Sequence, residues 1–321
     1  MITGSVAILL NILSIMAIGV LLVVACVYIF CKYKPDALSS YAAGSRRQVL
    51  WLLVLSPWLV GLLAAIFALL PHSALFPTFD TLNLFRWHHS HEFHFTSWHG
   101  LSMIIAISFV GVLLLQSTRH LLKSARQIKI LHALAEPDKN NFFQLDSDMP
   151  MAFTAGYSRP RRYVTSALRR QLNADEYRIV QLHEDEHARR RDPLQKWFFQ
   201  LLASFFPPSA ARRLNQQMVL AMEQCADMAV SSIIKDKAII ATTLVRVKRL
   251  STQSLDTGLN HNVICHYGLD GVSERITYLL SSKAVKVFPI FPAMFATISM
   301  ALVCVLMADV MHHAIEYPFS H

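Results

Sequence analysis

Four long apolar runs leave this chain few ways to fold. The first, Gly4 to Phe30, is broken only by Asn11 and a few serines; Val49 to Leu70, about Trp98 to Gln116, and Val287 to Ala308 follow. At a rise of about 1.5 Å per residue the first run alone exceeds the roughly 30 Å of bilayer hydrocarbon. Each run is therefore expected to be a spanning helix. Of the 321 residues 54% are hydrophobic and 16% charged, which is too apolar for an ordinary soluble domain. No lysine or arginine precedes the first run, and it is longer than a typical signal-peptide core, so it is expected to stay in the mature protein.

The basic residues orient the runs. Lys32, Lys34, Arg46 and Arg47 separate the first two, Arg119, Lys123, Arg126 and Lys129 follow the third, and Lys283 and Lys286 precede the fourth. The connection from Pro71 to Trp98 holds a single strong base, Arg86, and the tail from Asp309 to His321 holds none. Basic flanks face the cytoplasm, so both termini are expected outside and the segment between the third and fourth spans inside. The formal net charge of +9 then reflects flanks facing anionic lipid, with no direct nucleic-acid binding expected, although an acidic partner stays open. Five cysteines, Cys26, Cys31, Cys225, Cys265 and Cys304, show neither a metal-ligand nor a disulfide spacing.

The expected organisation is a three-helix membrane region over 1–117 (spans about 4–30, 49–70 and 98–116, outer loop 71–97), a cytoplasmic domain over 118–286, and a fourth span with a short outer tail over 287–321. Inside the domain, Phe142 to Leu145, Ala152 to Ala155 and Arg161 to Thr165 carry β-formers and are set off by Gly156 and Pro160, which predicts a small sheet. Helices should dominate the rest. Asn173 with Glu176 three residues on is a capping-box variant that starts a helix near Ala174. Pro193 opens the apolar segment Leu194 to Phe206, too short to span and suited either to a buried core or to the membrane face. Ser209 is expected to cap a helix reaching about Ile234, with further helices near Lys237 to Leu250 and Gly271 to Ser281.

On the capped helix lies His183-Glu184-Asp185-Glu186-His187. Residues four apart share a helix face, so His183 and His187 can offer two imidazole nitrogens to one metal ion, with Glu184 beside them. A catalytic zinc needs a third protein donor and a position for water. Glu223 is the candidate, and Asp227, one turn on, can hydrogen-bond an imidazole and fix it. Glu184 would then act as general base toward a metal-activated water attacking a peptide carbonyl. The competing reading makes both histidines polar residues on a solvated, highly charged helix. Cys225 points off the face of Glu223 and suits packing. His261, His266 and Arg275 are available to stabilise an oxyanion, without one of them being singled out.

From about Phe153 to Ser281 the chain resembles the membrane-bound zinc metallopeptidases of the BlaR/MecR type, the beta-lactam sensor-transducers. Phe153, Gly156, Arg159-Pro160, Leu172-Asn173 with Glu176, His183-Glu184-x-x-His187 continuing through Arg190, Asp192 and Pro193, and Glu223-x-x-x-Asp227 carry the resemblance. It implies a mainly α membrane protein of four transmembrane helices, with a cytoplasmic α+β gluzincin-like domain between the third and fourth. It also implies His183, His187 and Glu223 as ligands of one Zn²⁺, Glu184 as catalyst, and regulated cleavage of a cytoplasmic transcriptional repressor or of the protein itself. Asp185 and Glu186 are more acidic than is usual for the family between the histidines. Sensor-transducers carry a large extracellular penicillin-binding domain after the last span, whereas Asp309 to His321 stand here, so beta-lactam sensing by that route is not expected.

The outer loop suggests another input. His88, His89, His91 and His94 crowd near the third span with His99 and Glu92, and imidazole clusters bind zinc, copper or nickel. Alternatively these are interfacial rings beside Trp87 and Trp98. The chain is thus expected to be a zinc endopeptidase of a bacterial inner membrane, working in signal transduction at the lipid bilayer. Its rivals are a non-proteolytic metal-responsive receptor and a housekeeping protease of membrane proteins.

Overall fold

A computed structural model of the chain describes residues 2–34, 37–69, 92–93, 98–138, 142–253, 271–281, 287–288 and 290–316. A two-residue strand, β1 (Ile2–Thr3), precedes the apolar helices α1 (Ser5–Tyr33) and α2 (Ala43–Leu69); β1 pairs antiparallel with β2 (Glu92–Phe93). α1 and α2 meet at two glycines. A Cβ added to Gly19 would lie 3.2 Å from the Gly61 Cα, and one added to Gly61 would lie 2.9 Å from the Met16 carbonyl oxygen. Small residues at such a crossing let helix backbones approach where lipid offers no hydrophobic drive to associate.

α3 (Trp98–Leu134) follows. Among the described residues three helices are long and apolar enough to cross a membrane: Ser5–Tyr33, Ala43–Ile66 and Met103–Leu134. The helices run further than the apolar runs. α2 begins at Ala43 and so includes Arg46 and Arg47, and α3 continues past Gln116 to carry Arg119, Lys123, Arg126 and Lys129. Hydropathy marks where lipid would end, whereas Arg and Lys are good helix formers and neither Gly nor Pro interrupts 117–134.

The sheet has the order β3-β4-β6-β5, from β3 (Glu136–Pro137), β4 (Phe142–Leu145), β5 (Ala152–Ala155) and β6 (Arg161–Thr165). The three expected strands form, with β3 added. β4 runs parallel to β6, and β5 antiparallel to it as the edge. Tyr163, fully buried, stacks on Phe153 at 5.3 Å and meets Phe143 at 5.7 Å. Gly156 turns the chain between β5 and β6 at φ 113°, where a Cβ would lie 2.7 Å from the Arg159 carbonyl oxygen.

Helices complete the chain: α4 (Ser166–Gln171), α5 (Ala174–Arg190), α6 (Asp192–Ala203), α7 (Pro208–Ile233), α8 (Lys237–Gln253), α9 (Val272–Leu280) and α10 (Ile290–Glu316). In α10 the described apolar stretch is Phe291–Cys304, shorter than a span. Pro207, and not Ser209, occupies the cap of α7. Paired prolines hold helical φ, and Pro208 needs no N–H at a first helical position, so the helix starts one residue before the serine.

α6 proves to be a core helix seated on the apolar helices. Phe199, Leu202 and Ala203, with Phe206 just beyond it, share one apolar core with Ile15, Val23 and Val27 of α1, Leu50 and Val54 of α2, Leu214 and Met218 of α7 and Ala301 of α10. Trp51 of α2 meets Phe198 and Phe199 at 5.9 and 5.3 Å, and Phe205 lies edge-on to Trp58 at 4.8 Å. The Arg213 guanidinium of α7 donates to the Cys31 carbonyl at 2.8 Å.

This seating depends on the glycine crossing. Gly61→Leu should part α1 from α2 and lower the thermal midpoint of the detergent-solubilised chain by several degrees, whereas Gly44→Ala, with nothing within 4 Å of its added Cβ, should not lower it. Equal midpoints for Gly61→Leu and the parent would contradict close packing there.

Candidate metal centre

The capping box forms in full. The Asn173 side chain accepts from the Glu176 amide at 2.9 Å and Glu176 accepts from the Asn173 amide at 3.0 Å. The Nη1 of Arg246, on α8, donates to both oxygens of the same carboxylate at 2.7 and 2.9 Å. With the start of α5 fixed, its phase turns His183 and His187 toward α7. Their rings meet at right angles with centroids 4.7 Å apart, and their Nε2 atoms are 3.0 Å apart.

Glu223 reaches in from α7. Its Oε2 is 3.3 Å from His183 Nε2, and its Oε1 is 3.5 Å from His187 Nε2. The three residues' donor atoms all lie within 4.8 Å of one another, which among the described residues makes them the one group of this kind that could hold a metal ion. The solvated-helix alternative does not hold, since the two histidine side chains are 13% and 12% exposed. The neighbouring acids face elsewhere: Asp185 pairs with Arg162 of β6, and Glu186 with Arg189 and Arg190.

Each imidazole is held from behind. Asp227 Oδ1 lies 3.1 Å from His183 Nδ1, and Asp192 Oδ2 lies 2.7 Å from His187 Nδ1. A carboxylate on Nδ1 keeps the proton there and turns the Nε2 lone pair inward, the usual support of a metal-bound histidine. Asp227 sits where the sequence places it. Asp192 as a partner of His187 is new, because five residues is not a helical spacing. It becomes possible when Arg191, in the left-handed region at φ 54° and ψ 41°, ends α5 and swings α6 back beneath the histidine. The available signal was an acid beside a helix-ending turn.

Glu184, 7% exposed, is held by Thr154 of β5. The threonine hydroxyl lies 2.7 Å from Glu184 Oε2 and 3.0 Å from its carbonyl oxygen. Sequence reasoning missed Thr154, since only strand pairing sets it against α5.

Arg275, considered above for an oxyanion, is engaged elsewhere. It forks onto Asp227 with both bonds at 2.7 Å and lies 2.9 Å from Glu223 Oε2. Burial disfavours its charge, but Glu223 and Asp227 outweigh burial and hold its pKa above the ordinary value. Burial likewise pushes the Glu223 carboxyl up, and Arg275, His187 and His183 more than reverse that. For His183 burial opposes protonation, yet Asp227 and Glu223 raise its pKa to about 10.

The donors suit zinc. A tetrahedral ion with bonds of about 2.0–2.2 Å spaces its donors about 3.4 Å apart, close to the 3.0, 3.3 and 3.5 Å seen here. Two imidazoles and one carboxylate also form the set that leaves a catalytic zinc a position for water. Cys225 is buried, as packing required. His88, His89, His91, His94, His261 and His266 lie outside the described residues. Neither the models of known protein families nor the curated proteins contain a match to this chain.

A histidine binds metal only through a deprotonated ring nitrogen, and with its pKa raised to about 10 His183 should be protonated at pH 7 when no metal is present. Metal uptake at pH 7 should therefore release at least about one proton per ion, with affinity rising at least about tenfold per pH unit below that pKa. Calorimetry of zinc binding in buffers of different ionisation enthalpy reads the proton count. Zero release would contradict a charged His183.

Proposed function

We propose that the chain is an integral-membrane zinc-dependent endopeptidase of the BlaR/MecR type. In this reading four helices span a bacterial inner membrane, both termini lie outside, and a gluzincin-like domain between the third and fourth spans works at the cytoplasmic face. The observation that carries it is the convergence of His183, His187 and Glu223 with a carboxylate on each Nδ1. The helices long and apolar enough to span, and the basic end of α2 lying against α6 and α9, support the layout.

Zinc held by the three donors would lower the pKa of a bound water toward neutrality and polarise a peptide carbonyl. Glu184, next in sequence to His183, would take the proton of the attacking water and deliver it to the leaving amide nitrogen. Thr154 holds the Glu184 carboxylate for that exchange. Asp227 and Asp192 keep both Nε2 atoms aimed inward, and Arg275 balances the charge of Glu223 and Asp227. The substrate is a cytoplasmic regulator or the protein itself. A buried carboxylate at Glu184, next in sequence to the donor His183, favours hydrolysis over a receptor, which would need the donors and no base.

Glu184→Gln should keep zinc and lose cleavage of an unfolded test polypeptide, and self-cleavage in membranes, by at least about 100-fold. Undiminished cleavage with zinc retained would contradict the reading.

A further inference from the structure

The end of α2 that carries Ala43, Arg46 and Arg47 meets the supports of the metal centre on two sides. On the first, the Arg47 Nη2 lies 3.8 Å from Asp192 Oδ1 and donates to Gln195 Oε1 of α6. Asp192 is 5% exposed, and its Oδ1 accepts no hydrogen bond among the described residues. A buried carboxylate oxygen in that position is costly unless a cation stands beside it. Arg47 is that cation, together with the helix N-terminus at which Asp192 sits. The other oxygen of Asp192 is the one that holds His187 Nδ1. Gln195 also donates to the Arg190 carbonyl at 2.6 Å, which braces Arg47 against the helix bearing both histidines.

On the second side, the Tyr278 hydroxyl of α9 accepts from the Ala43 amide at 2.9 Å, capping one of the orphan donors of α2. The Arg46 guanidinium lies over the same ring at 6.0 Å. One turn earlier on α9 is Arg275, which holds Glu223 and Asp227. Asp192 on one side, and on the other the helix that carries Arg275, thus meet the same end of one long apolar helix.

We propose that Arg47 is a positioning residue for the metal centre, acting through Asp192 on His187, so that the seat of α2 sets metal affinity. A shift or rotation of α2 carries Arg47 away from Asp192 and leaves the carboxylate either uncompensated or re-aimed. His187 then loses its fixed orientation, and the metal binds less tightly. The inference rests on the metal-site reading of His183, His187 and Glu223 and is independent of the reaction carried out there.

A double-mutant cycle on the full chain in detergent tests it, with zinc affinity read by chelator competition and site geometry by the visible spectrum of bound Co²⁺. Asp192→Asn should weaken zinc by about 10- to 100-fold, as loss of a directly bonded partner does. Arg47→Ala should cost less, about 3- to 10-fold, and shift the Co²⁺ bands, while Arg47→Lys recovers most of the loss. In the double variant Arg47→Ala should add nothing to Asp192→Asn, because its effect passes through that carboxylate. Parental affinity and spectrum in Arg47→Ala, or losses that multiply in the double variant, would overturn the proposal. If Arg47→Ala does not fold, Gln195→Ala, which removes the brace, replaces it with the same expected direction and the same cycle. The expected pattern in a chain that cleaves nothing would leave this coupling standing and remove the endopeptidase reading; a parent chain that binds neither ion would remove both.

Discussion

One buried guanidinium sets the terms on which the candidate metal centre can exist. Arg275, 4% exposed, faces the carboxylates of Glu223 and Asp227, and those two in turn meet His183 and His187. Each charge taken out of water costs several kcal/mol unless geometry returns it through partners. Here α5, α7 and α9 must all be in register for any one of these groups to be tolerated. A small departure of one helix strands a charge, which makes the arrangement close to all-or-none. The same low-dielectric surroundings strengthen the grip of the carboxylates on the imidazoles.

That register is held by apolar packing reaching into the long helices. α6 and α7 share a core with α1, α2 and α10, so the helix supplying Glu223 and the turn supplying Asp192 are seated directly on the candidate spans. α5 is fixed from the other side, by its capping box, by Arg246 and by the Thr154 contact from the sheet edge. The donor set sits where these two supports meet, and the first supplies both imidazole partners: Asp227 from α7 and Asp192 from α6. Such a centre is rigid toward its own domain and open to influence from the bundle beneath it.

Much of this was legible in the residues because it depends on short-range periodicity. The four-residue spacings of His183 with His187 and Glu223 with Asp227 translate directly into shared helix faces, and Asn173 with Glu176 marks a helix start. What depends on tertiary pairing was not legible. Thr154 meets Glu184 only because β5 is the edge strand beside α5. Asp192 meets His187 only through the left-handed Arg191. Arg275 stands in the sequence as one of three groups available to an oxyanion, and in the fold it is committed to two acids on another helix. α2 and α3 extend beyond their apolar runs for a different reason: apolarity ends where charges begin, while the helical hydrogen-bond ladder continues through them.

The central claim is that His183, His187 and Glu223 form one zinc site, and the element and its ligands can be read together. X-ray absorption at the zinc edge, on purified full-length chain with metal content determined in parallel, tests it most directly. The account predicts one zinc per chain in a shell of nitrogen and oxygen at about 2.0–2.2 Å, with the outer scattering of two imidazoles. A sulfur shell at about 2.3 Å, or less than stoichiometric zinc after loading, would contradict it.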